Sequence, residues 1–359
     1  MPMRIGIVGL PNAGKSTLFN ALTAGGAETG DYPFTTVEPN TAIAPVADER
    51  LVQIYETLGS SEMQPETIEF KDIAGLVKGA AEGEGLGNQF LAAIRETDAI
   101  CHVVRCHGDT GVPHPDGSVD PVRDAETIDA ELLLADLDTA ERRLEKVTKE
   151  ARSGDKASVA ELGWLEQVRD ALAAGKPVRS VPAPAAAAEG PGKLQALTSK
   201  PVLYVANVTE GEIEVPQALA DHAAAVDAGT VAVSARIESD LAELEGEEAA
   251  EMRAELGVGE TGLTRLVHAA YELLDLITFF TADKDKEAVA RSLPRGGTAY
   301  DAAGRVHGEI QQAFVRAEII GWKDLVETGG YVAASEKGLI RTEGRDYVVA
   351  DGDVVHIKT

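Results

Sequence analysis

An α/β fold, doubly wound around a mostly parallel sheet, is what this 359-residue sequence predicts, on three observations. Short apolar runs alternate with helical stretches, the order that lays helices on both faces of a parallel sheet. The first apolar run leads into a glycine-containing turn, Gly9-Leu10-Pro11-Asn12-Ala13-Gly14-Lys15-Ser16-Thr17, and then into a helix. Hydrophobic residues make up 44% of the chain, enough to build packed cores, which excludes wholesale disorder.

Taken in order, residues 4–10 read as a short buried strand carried by Ile5, Ile7 and Val8. A helix over 15–24 follows, with Gly25-Gly26 as its C-terminal stop. Further strands are expected at 68–72, 99–105, 201–206 and 231–234, with helices between them. From 127 to 149 the pattern changes. Leu133, Leu137, Ala140, Leu144 and Val147 recur at spacings of 4, 3, 4 and 3, a heptad-like seam with charged residues on the other faces. A second helix, 159–174, sets Leu162, Leu165, Val168 and Leu172 on one face, so the two are expected to pair as an antiparallel hairpin, each the other's core. Residues 182–192, rich in Pro, Ala and Gly, read as a flexible loop. The tail holds strand candidates at 278–281, 346–350 and 354–357 around a helix at 298–314, a small mixed α+β module. The expected organisation is an α/β domain, 1–124 plus 201–277, interrupted by a helical insert, 125–200, and followed by the module 278–359.

The net charge of −27 removes any whole-chain basic footprint, so no DNA specificity is expected. The four segments 1–124, 125–200, 201–277 and 278–359 carry −10, −2, −13 and −2. The insert and the tail thus hold 22 of the 33 basic residues, and any RNA contact is expected there. Two cysteines, Cys101 and Cys106, give no disulfide scaffold and point to a reducing compartment. No apolar run approaches the ~20 residues that span a bilayer, and the first residues run straight into a strand without a signal peptide. A cytoplasmic protein with no membrane partner is expected.

The Gly9 loop matches G-x-x-x-x-G-K-[ST] in full, with the required strand before and helix after. Its glycines let backbone N–H groups curl around phosphates, and the helix N-terminus adds its positive dipole end. Asn12, Ala13, Gly14, Lys15, Ser16 and Thr17 are the expected nucleotide contacts, with Lys15 on the β and γ phosphates and the Ser16 hydroxyl on Mg²⁺. Asp72-Ile73-Ala74-Gly75 ends the next strand: Asp72 can hold Mg²⁺ through water, and the Gly75 N–H can meet the γ-phosphate. Thr36, in Thr36-Val37-Glu38, is expected to complete the Mg²⁺ shell and sense the γ-phosphate, as switch loops do.

Asn207-Val208-Thr209-Glu210 stands where a GTPase-like chain carries Asn-Lys-x-Asp. There the aspartate takes two hydrogen bonds from the guanine edge and the lysine stem covers the base. With Val208 and the longer Glu210, guanine readout should weaken and adenine becomes admissible. Ser234-Ala235-Arg236 follows the next strand as the final base-contacting loop. Gly83-Glu84-Gly85-Leu86-Gly87 is not a dinucleotide fingerprint, because no strand precedes it. Cys101-His102 and Cys106-His107 are read as buried small residues beside histidines, not as zinc ligands, and His222, His268, His307 and His356 are given no role.

These motifs closely resemble the YchF / Obg-like ATPase family of the translation-factor class of P-loop proteins. The resemblance rests on the Gly9–Thr17 loop, Asp31-Tyr32-Pro33-Phe34-Thr35-Thr36, Asp72-Ile73-Ala74-Gly75-Leu76 and, most sharply, Asn207-x-x-Glu210. Phe314-Val315-Arg316-Ala317-Glu318 and Asp351-Gly352-Asp353-Val354 resemble that family's C-terminal TGS module, a ubiquitin-like β-grasp fold. It covers essentially the whole chain. It implies a P-loop G domain with an inserted coiled-coil hairpin and a TGS domain, and a ribosome-associated ATPase that prefers ATP over GTP. The ribosome, through its large subunit, would be met by the insert and the TGS domain.

Leu76 replaces the glutamine that orients the attacking water in Ras-like proteins, so slow turnover is expected, on the order of 10⁻⁴–10⁻² s⁻¹. His114, in Gly111-Val112-Pro113-His114-Pro115, is the expected substitute, since the family is similar in using a loop histidine there and an imidazole is a suitable water-orienter. The catalytic expectation is thus His114, Lys15 and Gly75. Related glutamine-lacking proteins also use the asparagine of Pro-Asn-x-Gly-Lys to hold K⁺, which puts Asn12 near the phosphates as a K⁺ ligand. Three competing readings stand beside this one: an ordinary GTPase tolerating an unusual base motif, a nucleotide-gated RNA- or ribosome-binding protein whose hydrolysis is incidental, and a metabolic kinase, which would need an arginine-bearing lid where the basic insert reads as a rigid hairpin.

Overall fold

The computed structural model describes residues 3–27, 40–73, 86–108, 111–242, 244, 261–283 and 286–359. The chain divides into two compact units, Met1–Ala44 with Ile68–Ala270, and Pro45–Thr67 with Tyr271–Thr359.

The first unit is built on a six-stranded sheet of β1 (Met3–Val8), β2 (Thr41–Pro45), β4 (Thr67–Asp72), β5 (Ala99–Arg105), β6 (Val202–Asn207) and β7 (Gly229–Val233), in the order β2-β4-β1-β5-β6-β7. The pairs β4–β1, β1–β5, β5–β6 and β6–β7 are parallel. β5 and β6 are buried at every position, as expected of strands covered on both faces. α1 (Lys15–Ala27) runs past Gly25-Gly26, so that pair does not stop the helix. Two internal glycines cost a helix only about 1 kcal/mol each, which the rest of the element can bear.

The insert begins inside the nucleotide unit's own core, not at 125. α4 (Pro121–Ala151) starts with an Asp120 N-cap and a proline in its first turn. Its first half buries Ala125, Ile128, Leu132 and Ala135 together with Ile100, Val104 and Tyr204 of the sheet. Its second half pairs with α5 (Lys156–Ala173): Ala140, Val147, Leu165, Val168 and Leu172 share one cluster with Leu133, Leu137 and Leu144 at its margin. The heptad seam is therefore the hairpin's core. Residues 182–192 are not the loose loop their composition suggests. They contain the 3₁₀ turn Ala185–Ala187 and the start of the helix Gly190–Leu194, and Ala187 and Leu194 pack into the cluster around Trp164, whose indole N–H donates to the Val181 carbonyl at 3.0 Å. An aromatic anchor on α5 decides what proline and alanine content left open.

A polar cluster ties α4 to the sheet. Asp129 accepts hydrogen bonds from the Tyr204 hydroxyl (2.6 Å) and His222 Nε2 (3.0 Å), with His102 Nδ1 3.8 Å away. Burial pushes His102 down to about 4, leaving it neutral at physiological pH. His222, without a visible partner in the sequence, is raised by its bond to Asp129. Burial pulls Asp129 upward, but His222, His102 and Tyr204 outweigh it and hold the carboxyl below its usual range. Asp129 is thus ionised wherever His222 titrates. A histidine raised on folding stabilises fully below its unfolded value of about 6.5, and that contribution disappears as pH climbs through the folded value. Between about pH 6 and pH 9 the thermal midpoint should therefore fall, and fall less in His222→Gln. Parallel pH profiles for the two proteins would refute the coupling.

The second unit holds a mixed sheet of β3 (Glu62–Gln64), β8 (Leu276–Ala282), β9 (Glu287–Pro294), β10 (Arg316–Gly321), β11 (Arg341–Glu343) and β12 (Asp353–Lys358), ordered β11-β10-β12-β8-β9-β3. β8–β9, β10–β12 and β10–β11 are antiparallel, whereas β12–β8 and β3–β9 are parallel. One face packs on the helix Ala299–Val306 through Phe279, Leu293, Ala302 and Phe314. The other packs on α2 (Glu49–Leu58) through Leu51, Ile54, Leu58, Phe280 and Ala290. Residues 45–67 therefore belong with the tail, which corrects the expected boundary at 278 and the assignment of all of 1–124 to the nucleotide domain. The reason is physical: α2 carries apolar residues at helical spacing, and the tail sheet has a face that needs them. Arg50 fixes the arrangement, paired with Asp48 and with Asp351 at 2.8 Å each and lying over the Phe280 ring. The expected helix 298–314 breaks at His307 into Ala299–Val306 and Gly308–Gln312, and 346–350 forms only an isolated bridge at Val348. Among the described residues no helix is long and apolar enough to cross a membrane.

Candidate functional site

The carboxyl ends of the parallel strands converge. Ile7 lies opposite Asp72, Val8 opposite His102, Arg105 opposite Asn207, and Asn207 opposite Val233. In open α/β sheets ligands bind at such ends, where the strand order reverses. Here a groove of about 650 Å³ opens, lined by Asn12, Gly14, Lys15, Ser16 and Thr17 from the glycine loop and α1, by Asn207–Glu210 after β6, and by Ser234, Ala235 and Arg236 after β7. Segments some two hundred residues apart in sequence thus share one wall.

The glycine loop is a formed cradle. Lys15 is only 8% exposed, and its ammonium donates to the carbonyls of Gly9 (3.0 Å) and Leu10 (2.8 Å). Burial lowers its pKa, and Asp72 at the end of β4 partly offsets the effect. Asp72 in turn is raised by burial against the pull of Lys15. Gly14 has φ +103°, and a Cβ there would collide with Asn207 Nδ2. Only glycine can occupy that left-handed position beside the asparagine.

Asn207 is a scaffold residue. Its Nδ2 donates to the Ala13 carbonyl at 3.0 Å, and its Oδ1 accepts the Ala235 N–H at 3.1 Å. It clamps the glycine loop to the base loop, tying together Ala13 and Ala235, two of the residues expected to contact nucleotide. Val208 is 2% exposed and joins the core cluster, so its side chain cannot lie over a base as a lysine stem would. Glu210 is exposed on the groove wall, free to reach a base edge.

The oxygen donors fit a small hard cation. The Ser16 hydroxyl stands exposed in the first turn of α1, and Asp72 ends β4, paired with Ile7 of β1, the strand that leads into the glycine loop. Hydroxyl and carboxylate are the donors Mg²⁺ takes. Thr36 and Gly75 lie outside the described residues, as do Leu76, the stretch 31–36 and most of 83–87.

His114 is not on the groove wall. It lies in a small pocket behind the glycine loop, lined also by Leu10, Pro11, Arg105 and Asp124. Its side chain is 6% exposed. Nε2 meets Asp124 Oδ2 at 2.7 Å, and Nδ1 accepts the Asp116 N–H at 3.1 Å. An accepting Nδ1 places the proton on Nε2, so both ring nitrogens are engaged. Asn12 Nδ2 donates to the Pro113 carbonyl at 3.1 Å and so joins the glycine loop to the histidine loop.

Several contributors escaped sequence reasoning. Arg105 holds the segment after β5 through the His107 carbonyl (3.2 Å) and the Val112 carbonyl (3.0 Å). His107 lines the groove with its Nε2 3.5 Å from Asn207 Nδ2. Asp124, one residue before the expected insert, is the partner of His114. The only signal in the sequence was their position just beyond a strand end or at a helix start. Cys101 is fully buried and its thiol is pushed up to about 12, in keeping with a core role.

Comparison with known proteins agrees with this layout. Residues 4–149 match a family model described as 50S ribosome-binding GTPase. Residues 276–359 match one for the C-terminal region of YchF GTPases, described as a protein of unknown function (DUF933). The chain is 46% identical over 364 residues to the ribosome-binding ATPase YchF of Bacillus subtilis (strain 168), covering all of this chain and 99% of that one. It is 47% identical over 359 residues to the protein of that name from Escherichia coli O157:H7, covering 99% of each. Among solved structures, the Schizosaccharomyces pombe YchF GTPase superposes with a TM-score of 0.88 at 33% identity, covering 99% of this chain and 97% of that one.

Proposed function

Since this chain belongs to the YchF family, we propose that it is a Mg²⁺-dependent ATPase that prefers ATP over GTP and works as a slow switch on the ribosome. The chain is a P-loop nucleotide hydrolase by family. The observation that carries the finer reading is the base end of the groove, where Glu210 stands exposed and Val208 is withdrawn into the core. A carboxylate one methylene longer than aspartate, without a lysine stem over the base, no longer forms the rigid two-bond clamp on guanine.

When nucleotide enters, Lys15 exchanges the Gly9 and Leu10 carbonyls for β- and γ-phosphate oxygens. Ser16 and, through water, Asp72 would hold Mg²⁺, which neutralises charge on the β and γ oxygens. The N-terminal amides of α1 add their dipole end. His114 leaves Asp124 to place the attacking water, the role the missing glutamine leaves open. The ribosome is the proposed partner, met through the α4–α5 hairpin and the tail unit, and the working compartment is therefore the cytoplasm.

Calorimetric titration with non-hydrolysable ATP and GTP analogues, each with Mg²⁺, tests the base preference. The ATP analogue should bind at least about tenfold tighter, a difference of about 1.4 kcal/mol. Tighter binding of the GTP analogue would make the protein a GTPase whose Glu210 still clamps guanine. Turnover compared in K⁺ and Na⁺ buffers tests Asn12, whose amide nitrogen already holds Pro113 and whose oxygen remains for a cation. Faster hydrolysis in K⁺, lost in Asn12→Ala, is expected; equal rates in the two salts end that assignment.

A further inference from the structure

The second unit contains a cavity of about 560 Å³ that nucleotide chemistry does not use, within the size range of small-molecule pockets. It lies on the sheet face shared by the helix Ala299–Val306, where Val306 and Ile310 meet β12, β8, β9 and β3. Val289, Val355 and Ile357 supply the remaining apolar wall.

Arg291 of β9 lies in this wall, two residues beyond Val289 and so on the same face. Its Nε is buried and has no hydrogen-bond partner among the described residues. Burial lowers its pKa against the pull of Glu66 and Glu287. Glu66 is committed elsewhere: its carboxylate accepts the backbone N–H groups of Thr67 and Ser292. Glu287 is exposed, and Asp283 pairs with Lys286 at 2.8 Å. A half-buried guanidinium stays charged, and a buried donor left unmatched on it is costly, so a ligand anion that completes it gains strongly. The same cavity carries Glu62, Asp283 and Glu287, which repel a multiply charged phosphate.

We propose that this cavity binds a small organic monocarboxylate, its carboxylate on the Arg291 guanidinium and its apolar body against Val289, Val306, Ile310 and Val355. An Arg–carboxylate pair can be bidentate, and the apolar walls exclude water from it. The charge pattern selects one negative group, and the walls select a hydrocarbon or aromatic body.

The full chain is titrated calorimetrically with 3-phenylpropionate, and in parallel with 3-phenylpropanol and pyrophosphate. Saturable binding of the carboxylate at about millimolar Kd or tighter is expected, with the alcohol at least about tenfold weaker and pyrophosphate weaker still. Arg291→Met should weaken the carboxylate about tenfold and leave the alcohol unchanged, whereas Arg291→Lys should retain part of the affinity. Ile310→Trp, which fills the cavity without touching the charge, should abolish binding, and it decides the matter if Arg291→Met does not fold. Equal affinity for acid and alcohol, tighter binding of pyrophosphate, no saturation, or unchanged binding in Ile310→Trp would each overturn the proposal. ATP turnover of Arg291→Met should equal that of the unaltered protein.

Discussion

His114→Ala is expected to lower the single-turnover rate of ATP hydrolysis by about 10²- to 10⁴-fold, the range for loss of a positioned acid–base group, with ATP affinity changed by less than about twofold. The argument begins with what is missing. Leu76 in the glutamine position can neither donate nor accept a hydrogen bond. The histidine is close to the glycine loop yet turned from it, held by Asp124 at 2.7 Å and by the Asp116 amide at 3.1 Å. A ring so held offers no nitrogen to water, so turnover without a partner should be slow, and in the proposed role release from Asp124 would be the step that admits catalysis. Asp124 lies in the first turn of α4, the helix that continues into the hairpin, so movement of that helix would bear directly on the histidine. The alternative outcome is equally legible. If turnover is unchanged and only the thermal midpoint falls, His114 is a structural partner. The fall would reflect the buried Asp124 carboxylate, left to Arg123 alone at a cost of about 1–3 kcal/mol.

Gly14→Ala should abolish measurable nucleotide binding, a loss of at least about 10²-fold. At φ +103° a side chain is strained by about 1–2 kcal/mol before any contact is considered. The added methyl group must also displace Asn207, which gives up its bonds to Ala13 and Ala235, each worth about 1 kcal/mol. The two losses together exceed about 3 kcal/mol, and they separate the phosphate half of the groove from the base half. Asn207→Ala alone should cost about 2 kcal/mol. The double variant should bind no worse than Gly14→Ala alone, because both share the backbone strain and the lost tether, so the two losses are not additive. Additive losses in that cycle, read by calorimetry with the ATP analogue, would show that the glycine is needed for its backbone alone.

Much of the nucleotide unit was readable because its signals are local. β5 matches its expected limits, and β1, β4, β6 and β7 match theirs within one or two residues, because each is a run of apolar residues bounded by turns. The hairpin was readable for the same reason, since a heptad seam on one helix and a stripe on the next state their own pairing. The small strands and short helices of the tail were mostly missed. β9, with Arg291 among alanines, valine and leucine, does not alternate cleanly, and β11 is three residues of mixed character held in place by its neighbour.

At the site, the sequence by itself determined the chemistry of the phosphate end: a strand, a glycine loop, a lysine and a hydroxyl at fixed spacing have one sterically economical use. It also showed that the base motif departs from Asn-Lys-x-Asp, because the residue types at 208 and 210 are stated outright. Only the tertiary structure decided that Asn207 is a clamp, that Val208 sinks into the core, that His114 is held by Asp124, and that residues 45–67 complete the tail sheet. All but the His114–Asp124 pair, which spans ten residues, depend on segments far apart in the chain. A side chain's hydrogen-bonding capacity is written in its identity, but which partner satisfies it is set by which strand ends and helix faces the packed sheets bring within about 3 Å.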